Sequence, residues 1–295
     1  MARAFAEHTK GDSDIIIVGR NRASAENIFS AFPKSITSTT PASENDKSTP
    51  AREFVQCDIT LMKNVQEATR SILTKYPKIN YLVMSPGIMT MAGRDETEEG
   101  IDKKLAVHYY ARWKFLNDLL PALKKASEAG EQGAVMSVMA AGKGGAIDLE
   151  DLALKKGYSV SKAALIAPTY NDLMLESFSE QAPNLKLIHA YPGFVRTSLL
   201  SSSPSWLLRT SGFLLTPLIR PFSVSQAECG EYMWNAIYHT ATKPGPWRTG
   251  SNGEDLGKSR YFGDDNQRKK LWEHTVEVMK NALHPASSEG AEQAK

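Results

Sequence analysis

Short apolar runs alternate with longer amphipathic segments along almost the whole chain, and this alternation is what most limits its fold. Ile15-Ile16-Ile17-Val18 is a β-branched run bounded by Asp14 and Gly19, the signature of a buried parallel strand. Further strands are predicted over 53–57, 81–84, 134–139 and 185–191. Helices are predicted over 21–32, 61–76, 97–125, 158–179, 225–238 and 266–283. In the second of these, Leu61, Val65, Ala68, Ile72 and Leu73 recur at helical spacing and mark one apolar face. Strand–helix alternation of this kind predicts an α/β fold, a doubly wound parallel sheet in three layers. Ligands then sit at the carboxyl ends of the strands. The Ser, Thr and Pro content of 33–51 marks a surface loop, and the polar 285–295 a disordered tail, leaving one domain over 1–284.

With 295 residues, 41% hydrophobic and 23% charged, the chain can bury a sizeable core. Its formal charge of +2 comes from interleaved acids and bases, which argues against a nucleic-acid partner. Cys57 and Cys229 are far apart and lack neighbouring metal-ligand residues, so neither a disulfide nor a metal site is expected. The first ten residues are too polar for a signal peptide, and Arg209, Pro217 and Arg220 interrupt the most apolar stretch. A cytoplasmic setting is expected.

Tyr158 and Lys162 are the first chemical candidates. Four residues apart on a helix, their side chains would share one face. An ammonium beside a phenol favours phenolate, and the pair could exchange a proton with a carbonyl oxygen. The spacing alone carries little weight, since Tyr110 and Lys114 repeat it. Context separates the two. Tyr158-Ser159-Val160-Ser161-Lys162-Ala163-Ala164 lies between two predicted strands, the second running into Tyr191-Pro192-Gly193-Phe194-Val195-Arg196-Thr197. A YSxSKAA segment followed by PGxVxT resembles the short-chain dehydrogenase/reductase family. Cys57-Asp58-Ile59 resembles its strand-end aspartate, and Leu82 to Ile88 aligns with its NNAG segment. Tyr110 and Lys114 fall inside the family's central helix and are the decoy.

The resemblance implies a Rossmann-like fold and an NADP(H)-dependent oxidoreductase. Tyr158 would be the general acid, with Lys162 modulating it and holding the nicotinamide ribose. Asp58 and Ile59 would meet the adenine, Ser85 and Gly87 after the third strand would contact the cofactor, and Pro192, Gly193, Val195 and Thr197 would line the nicotinamide side. Arg20 stands where the family reads the adenosine ribose, and a guanidinium there suits a 2′-phosphate. No metal is implied.

Several positions depart from the family pattern. Alignment of Val135-Met136-Ser137-Val138-Met139-Ala140 puts Ala140 at the catalytic serine. Ser137 would replace that hydroxyl only if a local shift turned it to the site; otherwise it is a buried strand serine. His108 replaces an asparagine and is either a proton relay or a residue packed beside Tyr109. Pro168 should kink the helix that carries it or remove one backbone bond. The largest departure is at the start: no glycine-rich turn precedes Ile15, and residues 1–8 resemble the second half of the helix that follows it. The expectation is an N-terminally truncated family member lacking the first strand and the phosphate loop.

Apolar residues from Trp206 to Phe222 make 198–224 an expected substrate lid over a lipophilic ketone, aldehyde or alcohol. A peripheral membrane contact through 204–222, or core or dimer packing, are alternatives. Overall the resemblance is closest to fungal-type and retinol-dehydrogenase-like members, with a homodimer through the two long helices as one arrangement. The reading from a different class is a non-catalytic relative that binds a ligand or a partner.

Overall fold

A computed structural model describes residues 1–35, 49–197, 205 and 220–284. The expected 198–224 lid therefore lies mostly outside the described residues, as do most of the 33–51 loop and the tail.

Among the described residues six strands form, all parallel: β1 (Ile15–Gly19), β2 (Arg52–Gln56), β3 (Tyr81–Met84), β4 (Ala134–Val138), β5 (Lys186–Ala190) and β6 (Gly245–Thr249). Around them run α1 (Ala2–His8), α2 (Arg22–Ser30), α3 (Met62–Lys75), α4, α5 (Val160–Gln181), α6 and α7 (Asp265–Leu283). Helix α4 comprises Lys103–Leu105, a π-helical turn Ala106–Tyr110 and Ala111–Glu128, and α6 comprises Gln226–Asn235 and a π-helical turn Ala236–Thr240.

Period-two alternation sorts the strand side chains into two cores. Val135 and Leu187 face a core built with α3, α4, α5 and α7; Met136 and Ile188, one residue on, face a second core with α1 and α6. All four are fully buried, each contributing about 1.5–3 kcal/mol of transfer free energy. The three-layer, doubly wound arrangement follows.

The sheet is in two pieces. β1 pairs with β2 alone, whereas β3 begins the series β3-β4-β5-β6. β1 and β3 each keep one edge without a strand partner among the described residues. Their apolar side chains are correspondingly less covered: three of the four β3 residues are only part-buried, against one of five in β4.

Three local differences from the sequence expectation have physical causes. The helix expected from residue 97 begins at Lys103, because Thr97 to Gly100 forms a turn and Asp102 caps the helix, accepting from the N–H groups of Lys104 and Leu105. β6 was hidden by Pro246. It is an edge strand whose Gly245 N–H points to β5, so the nitrogen of Pro246 points outward, where no donor is needed. Helix α5 runs through Pro168 without ending. Both cysteines are free and buried, and burial pushes the Cys57 thiol up to about 12.

Candidate active site

The carboxyl ends of β3, β4 and β5 and the segments after them carry the candidate residues. Tyr158 does not stand on a helix. Ser159 has extended backbone and is the N-cap of α5, its hydroxyl accepting from the Lys162 N–H at 3.0 Å. The step from 158 to 162 is therefore not a helical turn, and the two side chains take different partners. Lys162 points toward the 148–157 segment, its Nζ 3.9 Å from Asp148 Oδ2. Asp151 in that segment is raised by burial, but N–H groups of Gly157, Lys155 and Lys156, with Lys162, hold its carboxyl below the usual range.

The cation on the Tyr158 hydroxyl is Lys104. Its Nζ donates to Tyr158 Oη at 2.7 Å, to the Ala92 carbonyl at 2.7 Å and to the Gly93 carbonyl at 3.1 Å. Its side chain is buried.

Lys104 heads a basic stripe along one face of α4, followed at four-residue intervals by His108 and Arg112. All three bond to the backbone of the segment leaving β3. His108 Nε2 accepts from the Ile88 N–H at 3.1 Å. Burial, with Arg112 and Lys104 nearby, lowers its imidazole to about 4, so it stays neutral at physiological pH. Arg112 is fully buried and donates to the carbonyls of Met84 (2.9 Å), Pro86 (2.6 Å) and Val138 (3.1 Å) and to Ser137 Oγ (2.6 Å). Burial lowers its guanidinium to about 9. The stripe ties the ends of β3 and β4 together and fixes the loop beside Tyr158.

Ser137 is fully buried, accepting from Arg112 and donating to Asn171 Oδ1 at 2.7 Å. The pleat aims it into the helical layer, away from the strand tip. At that tip the Ala140 N–H donates to His189 Nε2 at 3.3 Å. His189 Nδ1 lies 2.6 Å from Asp172 Oδ1, and Asp172 Oδ2 lies 3.1 Å from Arg248 Nε. With Nε2 accepting, Nδ1 carries the proton toward Asp172. This buried chain links β4, α5, β5 and β6 beneath the site.

The two-stranded piece brings Arg20 and Asp58 to neighbouring strand ends, since Gly19 pairs with Gln56 and the Cys57 N–H donates to the Gly19 carbonyl at 2.8 Å. Arg20 is exposed. Asp58 Oδ1 accepts from the N–H (3.0 Å) and hydroxyl (2.9 Å) of Thr60, with Ile59 between them. Ser85 and Gly87 are exposed beyond β3. Pro192 to Thr197 leaves β5, with Val195 bridged to Val224. Gly193 has φ +71°, and a Cβ there would lie 2.9 Å from Ser251 Cβ, so the turn requires glycine. A cavity of about 300 Å³ opens elsewhere, between the 94–105 segment and α7, lined by Arg94, Asp102, Tyr110 and His274; Tyr158 does not line it.

Residues 22–171 match the family model described as enoyl-(acyl carrier protein) reductase, half of the chain including the Tyr158 segment. The chain belongs to the short-chain dehydrogenase/reductase superfamily. Among curated relatives of this short-chain dehydrogenase/reductase, oxidoreductase AN1596 of Emericella nidulans is 30% identical, covering 78% of this chain and 77% of that protein. Two solved structures share the fold at low identity. An alcohol dehydrogenase from the archaeon Thermococcus sibiricus, complexed with 5-hydroxy-NADP, has a TM-score of 0.56 at 13% identity, over 87% of this chain and 92% of that one. A 3-ketoacyl-(acyl-carrier-protein) reductase from Brucella melitensis, complexed with NADH, has a TM-score of 0.56 at 19% identity, over 88% and 91%.

Sequence reasoning missed Lys104 and Arg112. Their signal was present in Lys104, His108 and Arg112 spaced by four among the apolar residues Leu105 to Trp113, a basic row on a helix that is mostly buried there.

Proposed function

We propose that the protein is an NADP(H)-dependent oxidoreductase that interconverts a lipophilic ketone or aldehyde and its alcohol, with Tyr158 exchanging the proton at the substrate oxygen. The observation that carries this reading is the Tyr158 hydroxyl held by a buried ammonium at the strand ends of a short-chain dehydrogenase/reductase sheet. Tyr158 Oη accepts from Lys104, which leaves its own proton to donate to a carbonyl oxygen.

The donor set fits the two ends of NADP(H). Arg20, exposed at the tip of β1, suits a 2′-phosphate, and the neighbouring Asp58 suits an adenine amino group. Pro192, Gly193, Val195 and Thr197 would flank the nicotinamide, and Lys162 would hold its ribose hydroxyls, with Ser85 and Gly87 facing the same crevice. When bound, the dinucleotide supplies the hydride. Exposed Met91 and Phe194, on segments leaving β3 and β5, support an apolar substrate. A lid over 198–224 belongs to the same reading. No helix among the described residues is long and apolar enough to cross a membrane; a cytoplasmic location is part of the proposal, and so is a membrane-peripheral contact through 204–222.

The split between β1 and β3 supports a further element of this reading. One more parallel strand, followed by a glycine-rich turn and supplied by residues upstream of Met1 in a longer form, would satisfy both open edges and cradle the pyrophosphate. A second reading, a ligand- or partner-binding protein without turnover, is favoured by Ala140 at the serine position and by Ser137 being fully engaged.

NADPH and NADH fluorescence titrations of this chain and of an N-terminally extended form, followed by turnover of a panel of apolar ketones, separate the readings. The extended form is expected to prefer NADPH and to reduce ketones. NADPH binding without turnover would favour the second reading, and no binding by either form would refute the cofactor assignment.

A further inference from the structure

We propose that Lys104 is the cation that governs the Tyr158 hydroxyl during proton transfer, the part the resemblance assigns to Lys162. The chemistry rests on the oxidoreductase reading; the contact does not.

A lysine ammonium has three N–H donors and no acceptor. Those of Lys104 meet three acceptors: the carbonyls of Ala92 and Gly93 and Tyr158 Oη. The two carbonyls fix the ammonium, and the third donor fixes the phenol as an acceptor. The hydroxyl proton of Tyr158 must then point away from Lys104, where a substrate oxygen can take it. The base of the lysine is equally constrained, because Asp102 caps the first turn of α4 through the N–H groups of Lys104 and Leu105.

The surrounding charges leave the ammonium available to the phenol. Among the described residues no carboxylate forms an ion pair with it: Asp102, buried two residues earlier, spends its oxygens on the N–H groups of Lys104, Leu105 and Asp95. His108 and Arg112, on the same helix face, bond to the loop backbone and to β4. Because Lys104 is only 7% exposed, its field at Oη is screened little by water. Lys162 differs. Its side chain is 34% exposed, its ammonium lies 3.9 Å from the Asp148 carboxylate, and the hydrogen bond to Tyr158 Oη comes from Lys104.

In the reducing direction a bound reduced nicotinamide would supply the hydride for the new C–H bond, and the carbonyl π pair would become the bond to the Tyr158 proton. The phenolate left behind is met by the Lys104 ammonium, which keeps its proton. Oxidation reverses each transfer.

The test uses protein carrying ¹³Cζ-tyrosine, with the Tyr158 resonance assigned by its loss in Tyr158→Phe. Lys104→Met should move that resonance, Lys104→Arg should return it toward the native position, and Lys162→Met should leave it in place. Movement with Lys162→Met and none with Lys104→Met would overturn the assignment. Should Lys104→Met fail to fold, Lys104→Gln takes its place. With a turned-over ketone, Lys104→Met should lower kcat about tenfold or more and displace the rate–pH profile, whereas Lys162→Met should chiefly raise KM for the dinucleotide. An unchanged kcat and profile in Lys104→Met would also overturn the proposal. If the native protein reduces no ketone, the oxidoreductase reading falls, while the resonance comparison still decides whether Lys104 or Lys162 holds the phenol.

Discussion

Replacing Arg112 by methionine should destabilise the protein by about 2 kcal/mol. The guanidinium reaches four acceptors inside the core, the Met84, Pro86 and Val138 carbonyls and Ser137 Oγ, but three of them share the two hydrogens of Nη1, so three full hydrogen bonds are made. Charge-assisted bonds contribute about 1.5–3 kcal/mol each, so the gross gain is about 7 kcal/mol. Against it stands the burial of the charge. The depression of the guanidinium to about 9 corresponds to a desolvation cost of about 5 kcal/mol. The remainder is lost with the side chain, because methionine fills the volume and leaves the acceptors of two strand ends without donors. Urea denaturation followed by tryptophan fluorescence and circular dichroism measures the difference, provided the m value is unchanged. A pH arm checks the cause. The folded-state value lies below the unfolded one, so above about pH 9 the folded protein sheds this proton first. The stability of the native protein relative to Arg112→Met should then rise with pH. A variant within about 1 kcal/mol of native stability at neutral pH would refute the reasoning, since it would mean that the buried charge costs as much as its bonds return.

Two further predictions concern the same frame. His108 is lowered to about 4 by burial and neighbouring cations, so the unfolded chain binds its proton first as pH falls. Stability should decline by about 3 kcal/mol between pH 6.5 and 4, and His108→Gln should flatten that slope in acid-titrated denaturation curves; an identical slope would contradict the assignment. Gly193→Ala, at φ +71° and with Ser251 Cβ 2.9 Å from the new methyl, should lower stability by about 1–2 kcal/mol in thermal unfolding. A neutral result would mean that the turn relaxes.

The layers were legible in the sequence because strand and helix periods differ. Val135 and Met136 face opposite cores as period two requires, and the β-branched run from Ile15 forms the expected strand. β6 was not legible, because Gly245 and Pro246 read as loop until their outward side is known to need no donor. At the site, Tyr158 and its strand-end setting could be read from YSxSKAA, but the partner of its hydroxyl could not. A four-residue spacing implies stacking only within a helix, and Ser159 begins that helix one residue too late. Lys104, 54 residues earlier, reaches the phenol through tertiary packing that no local pattern encodes. The closing of α4 and α5 by α7, with Trp272 set between Trp113 and Phe178, is likewise a long-range result.

The most direct measurement is single-turnover hydride transfer from NADPH to an apolar ketone, comparing the native protein with Tyr158→Phe in the form that binds the dinucleotide. The phenol-less variant should bind NADPH as tightly as the native protein and transfer hydride slower by about 10² or more. Equal transfer rates would contradict the assignment of the proton to residue 158.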